Sequence, residues 1–133
     1  DIAIRINAYE QTIKTLGNEK VKGQPLIREL AIGRTKQEAF EVARKPLLAK
    51  YESYATWGQT DTKKERTLSD TFEEFCRDRF IIGDEQEVVD EILKYKESFG
   101  VDNLLVRVQW PGLGQGEVLK TLDHLGKIIA TVS

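Results

Sequence analysis

Two short apolar runs, each leading into an amphipathic stretch, constrain this chain more than any other feature. The later run, Leu104 to Gln109, stops at the aromatic–proline pair Trp110 and Pro111. A glycine-bearing turn then feeds a helical pattern from about Glu117 to Thr131, with Val118, Leu122, Leu125 and Ile129 on its apolar face. The earlier run, Pro25 to Ile32, sets Leu26, Leu30 and Ile32 on one face and Ile27 and Ala31 on the other. Apolar residues on both faces predict a strand covered on both sides, as in a parallel sheet, with Arg28 and Glu29 interrupting the pattern. Parallel strands need long crossovers, and helical stretches between the runs supply them. The fold class is therefore α/β.

The helices can be bounded from their punctuation. Ile2, Ile6, Tyr9, Ile13 and Leu16 share one face of an opening helix that stops near Gly17, and a polar turn runs from Gly17 to Gln24. Thr35-Lys36-Gln37-Glu38 is a capping box, in which hydroxyl and carboxylate satisfy each other's orphan amides. It starts a long helix toward Trp57, which Pro46 is expected to kink or split near Lys45 because proline lacks an amide hydrogen. Residues 58 to 79 are the least regular part, with a short helix expected around Ser69 to Cys76 and a brief extended run at Phe80 to Ile82. Asp84 to Glu87 opens another capped helix, carrying Val88, Val89, Ile92, Leu93 and Phe99 and closed by Gly100.

Composition narrows the function. A chain of 133 residues has the length of one domain, here 1–133. Its net charge of −2, with intermixed signs, gives no general attraction to nucleic acid or to an anionic membrane. Nothing resembles a membrane span or a signal peptide, and the single Cys76 suits a reducing cytoplasm. Methionine is absent and the chain begins inside a helical pattern, so we expect a fragment of a longer protein.

Several motifs invite chemistry. Gly112, Gly114 and Gly116 follow a strand, but a dinucleotide fingerprint needs its third glycine at position 117, which is Glu117. They read as a turn. His124 has no Cys or His at ligand spacing, so no metal site is expected, and Cys76 reads as a small buried hydrophobe. More informative are Trp57, Arg77 and Arg79, which bracket the irregular segment, and Gln109 and Trp110, which a strand delivers to its carboxyl end. Arginine at the edge of such a segment can clamp phosphate or carboxylate, and an aromatic at a strand end can pack on a planar ligand. Core or interface packing is the competing role for both tryptophans, and a surface salt bridge for the arginines.

Taken together, PLIRELAIGRTKQEAFEVARKPLLAKYESYATWG, RFIIGDEQEVVDEILKYKESFGVDNLLVRVQWPGL and GEVLKTLDHLGKII resemble the C-terminal part of a bacterial-luciferase-like monooxygenase. The resemblance covers nearly the whole chain and rests on the order and spacing of its elements, with VRVQWPG its most specific part. It implies an incomplete (β/α)8 barrel, of which this chain supplies the seventh and eighth strands, since a full barrel needs about 250 residues. It further implies a reduced flavin, FMN, or a deazaflavin as cofactor and a small organic substrate. Under it, residues 58–79 become a mobile lid. Trp110, Gln109 and Arg79 become cofactor-binding residues, and Trp57 and Arg77 substrate-binding ones. Catalytic residues would lie on strands upstream, so the fragment alone is expected to be inert and to pair with a second copy or with the missing part. The competing reading is a non-catalytic α/β binding or assembly module anchored by Trp57 and Trp110.

Overall fold

The computed structural model describes residues 2–20, 25–58 and 72–133. Among these residues eight elements follow one another: α1 (Ile2–Leu16), β1 (Pro25–Ile32), α2 (Lys36–Thr56), α3 (Phe72–Cys76), β2 (Phe80–Gly83), α4 (Glu85–Phe99), β3 (Asn103–Arg107) and α5 (Gln115–Val132). The three strands form one parallel sheet in the order β2-β1-β3. Glu29 to Ile32 pair with Phe80 to Gly83 on one edge of β1, and Pro25 to Glu29 pair with Asn103 to Arg107 on the other.

This order dictates where the helices go. The connection from β1 to β2 moves one way across the sheet, and that from β2 to β3 moves back past β1. Crossovers share one hand, so reversing direction puts the connecting helices on opposite faces. Accordingly Leu30, Ile32 and Ile81 pack with Val88, Val89, Ile92 and Tyr95 of α4, Ile2 of α1 and Ile128 of α5. On the other face Ala31 and Phe80 pack with Ala43 and Leu47 of α2, with Phe72, Phe75 and Cys76 in and around α3, and with Trp110. In a (β/α)8 barrel each strand neighbours the next and every helix lies outside. Here β1 separates the two later strands, and helices cover both faces.

Local sequence explains most boundaries. Asp84 caps α4 by accepting from the Glu87 amide at 2.9 Å while Glu87 accepts from the Asp84 amide at 3.1 Å, the expected capping box. Gly100 ends α4 at φ 61°, and the amides of Gly100 and Val101 return to the carbonyls of Lys96 and Tyr95. Thr35 caps α2 through the Glu38 amide at 3.2 Å, but the Glu38 carboxylate answers the amide of Arg34 rather than that of Thr35.

Four expectations are corrected. Phe80–Gly83 is a full strand rather than a brief extended piece, so three strands are present instead of two. Pro46 does not split α2, which runs through it with Pro46 and Leu47 both buried. The described end of the irregular segment, Phe72 to Cys76, packs into the core, and residues 59–71 of the expected lid lie outside the described residues. Finally α5 is turned relative to its expected face. Val118, Thr121 and Ile128 are buried, whereas Leu122 and Ile129 are 43% and 53% exposed. The cause is that α5 leans across β1 toward α4, which brings Thr121 against the Ile32 amide. Among the described residues no helix is long and apolar enough to cross a membrane.

Candidate functional site

In a parallel sheet whose strand order reverses, ligands meet the carboxyl ends of the strands at the point of reversal. That place is occupied here by a crevice of about 430 Å³ between the β1–α2 corner and α5. Its floor is Ile32, Gly33, Ala39 and Val42; Arg34 and Glu38 edge it on one side, and Lys120, Thr121 and His124 on the other. Gly33 is dictated by space, since a Cβ there would stand 2.8 Å from the Ala39 amide nitrogen and 3.0 Å from the Thr35 carbonyl. A larger cavity of about 550 Å³ lies at the opposite end of the sheet, between α1 and the start of β1. The crevice is the better candidate because polar groups with defined donor and acceptor roles converge on it.

Its cations are already matched. Arg34 Nε lies 3.0 Å from Glu38 Oε2, and Lys120 Nζ 2.7 Å from Glu117 Oε1. The hydrogen bond from Arg34 holds the Glu38 carboxyl below the usual carboxylate range. His124 Nδ1 sits 2.6 Å from Oε1 of Glu85, outside the lining, with Lys127 Nζ 3.5 Å from the same oxygen. The hydrogen bond with His124, followed by the nearby Lys127, holds the Glu85 carboxyl down as well. An ionised carboxylate can only accept, so it assigns the ring proton to Nδ1 and leaves Nε2 as an acceptor in the neutral ring. Thr121, 6% exposed, accepts from the Ile32 amide at 3.4 Å.

The residues singled out from sequence do not share a cavity. Trp110 is 2% exposed, enclosed by the second core cluster, and its Nε1 has no hydrogen-bond partner among the described residues. It begins a turn in which the Leu113 amide bonds the Trp110 carbonyl at 3.1 Å and Gly112 takes φ 85°, which explains Pro111-Gly112 at the centre. Gln109 is exposed. Arg79, half-buried, donates to the Phe75 carbonyl at 2.9 Å and lies 4.8 Å from the Phe75 ring centroid. Arg77 is exposed and follows α3 directly, its amide closing on Glu73 and Glu74. Trp57 is 66% exposed at the end of α2, its ring 6.0 Å from that of Tyr54.

Sequence reasoning missed Thr121, His124 and Glu85. The available signal was a threonine and a histidine three residues apart, with Thr121 standing where a helix's buried stripe is normally apolar.

Comparison with known proteins adds a fold likeness. No family model matches the chain, and no curated protein matches it by sequence. Among solved structures, the oxygenating constituent of 3,6-diketocamphane monooxygenase from the CAM plasmid of Pseudomonas putida is similar, with a TM-score of 0.65 at 14% identity over 95% of this chain. That protein is described as a type II Baeyer-Villiger monooxygenase in complex with FMN. This chain spans 38% of its length. The likeness establishes a partial α/β fold of the kind found in that monooxygenase.

Proposed function

We propose that this chain is the C-terminal section of a luciferase-like, FMN-dependent monooxygenase acting on a small organic substrate. The observation that carries the reading is the likeness, over nearly the whole chain, to a monooxygenase determined with FMN. The sequence pattern from Arg79 to Leu113 supports it independently. In this reading the strands beyond this chain bring most of the flavin contacts. The uncovered outer edge of β3 and the exposed Leu122 and Ile129 are where those units pack.

The residues present do not fit a flavin by themselves. The Trp110 indole is enclosed by protein and Arg79 is engaged with Phe75, so neither offers a free ring face or an uncommitted guanidinium. Among the described residues the Trp110 N–H is a buried donor that still needs an acceptor. No chemical step is therefore assigned to this chain.

The test is oxygen uptake by the longer protein carrying this sequence, with reduced FMN and a panel of small ketones and aldehydes, beside the 133-residue chain alone. The expected result is FMN-dependent uptake by the former and none by the latter. Absence of flavin binding by the longer protein, or turnover by the short chain, overturns the reading. A second reading, an assembly module, draws on the exposure of Trp57 at the end of α2. Size-exclusion chromatography separates them: a dimer abolished by Trp57→Ala favours assembly, and a monomer excludes it.

A further inference from the structure

The crevice at the carboxyl end of β1 has a lining whose hydrogen-bonding capacity is incomplete in a specific way. Thr121 is buried, and its oxygen accepts from the Ile32 amide. Its own hydroxyl proton has no acceptor among the described residues, and a buried donor without a partner is costly. One turn along the same helix face, His124 is tied to Glu85 through Nδ1. That leaves Nε2 as an acceptor beside a donor.

The remaining features restrict what can complete this pair. Arg34 and Lys120 are each neutralised by a carboxylate, at 3.0 and 2.7 Å, so the rim offers no unmatched charge to an ion. Ala39 and Val42 make the opposite wall apolar. A volume of about 430 Å³ falls in the range of small-molecule sites.

We propose that this crevice binds a small, uncharged, hydroxyl-bearing molecule with an apolar body, whose hydroxyl accepts from Thr121 and donates to His124 Nε2. A hydroxyl does both at one oxygen; an ether or ketone can only accept, and a hydrocarbon does neither. The carboxylate of Glu85 acts as a positioning group, holding the imidazole in the accepting tautomer. The site does not depend on the flavin reading, since none of its residues is assigned to the cofactor.

Cyclohexanol and its methyl ether, methoxycyclohexane, serve as probes in an amide and imidazole NMR titration at pH 8. Cyclohexanol is expected to give saturable shifts at Gly33, Thr121 and the His124 ring. The ether, which cannot donate, should bind about tenfold more weakly or not at all. Thr121→Val and His124→Asn should each weaken cyclohexanol about tenfold, about 1.4 kcal/mol. His124→Asn puts an amide nitrogen near the position of Nδ1, keeping a donor for Glu85 while removing the acceptor. Equal binding of alcohol and ether, no saturable shift with either, or cyclohexanol binding indifferent to both substitutions overturns the proposal. Should one variant fail to fold, the alcohol–ether comparison in the unsubstituted protein and the other variant still decide.

Discussion

Glu29 and Lys50 form an ion pair beneath the α2 face of the sheet, each side chain more than nine-tenths enclosed. Arg107 Nη1 shares the same carboxylate oxygen at 3.3 Å, and Lys50 Nζ lies 5.6 Å from the Tyr54 ring centroid. The interruption in the apolar pattern of β1 is thus two separate solutions. Glu29 is paired on one face, while Arg28 donates to the Tyr95 hydroxyl at 3.3 Å on the other. Removing Lys50 leaves the enclosed Glu29 carboxylate with Arg107 alone, a loss of up to about 3–5 kcal/mol, whereas replacing both partners by apolar residues is close to neutral. Lys50→Met should therefore lower the urea midpoint sharply, and Glu29→Met with Lys50→Met should restore most of the loss. A double variant as unstable as the single one would refute this.

Burial pushes the Cys76 thiol up to about 12, and burial followed by the nearby Glu29 charge pushes the Tyr51 phenol up to about 12. The unfolded chain releases these protons nearer 9.0 and 10.0. Both folded-state values are raised, so the stability they confer is complete below the unfolded values and declines as pH rises toward 12. Between pH 9 and pH 11 the free energy of unfolding should fall by on the order of 2 kcal/mol. Cys76→Ala should lower stability at every pH but flatten this slope. Thiol titration in the folded protein at pH 8 should find Cys76 unreactive.

The orphaned Trp110 N–H offsets part of the stability gained by burying its ring. Trp110→Phe removes the unsatisfied donor along with some volume, and is expected to cost less than about 1 kcal/mol. Trp110→Ala opens a cavity against Ala43, Leu47 and Phe72 and should cost about 3–5 kcal/mol. Equal losses for the two variants, measured by chemical denaturation, would show that the N–H is satisfied in solution.

Removing the α4 cap with Asp84→Ala should destabilise by about 1 kcal/mol, since the side-chain half of the capping box is lost while the backbone amide at position 84 still donates to Glu87. Gly83→Ala acts on the same motif from the strand side, because its new Cβ would stand 2.8 Å from the Glu87 Cβ. Thermal melts of the two variants and their combination are expected to give a combined loss smaller than the sum.

Element identity was legible where a signal is local. The Asp84 cap and the Gly100 stop depend on a few neighbouring side chains and appear as read, and along β1 Leu30, Ala31 and Ile32 are buried as read while Ile27 is 49% exposed. Strand order was not legible, because nothing in Leu104 or Phe80 says which edge of β1 it will occupy. That choice fixed the rest. It turned Leu122 and Ile129 outward, brought His124 to Glu85, which lies 39 residues earlier, and enclosed Trp110 rather than leaving it beside an open pocket. Residues singled out for their position at an element's end therefore do not come together in space.

Of the three described strands, the one at the middle of the sheet is synthesised before the other two. Both edges of β1 wait for partners that come later, and the Glu29–Arg107 contact closes across 78 residues. A nascent chain must carry β1 half-paired until nearly its last helix has emerged. Long-range closure of this kind slows folding. In refolding from urea, Trp110 fluorescence should settle only after helical circular dichroism has recovered, which makes the arrival of β3 the gate for this sheet.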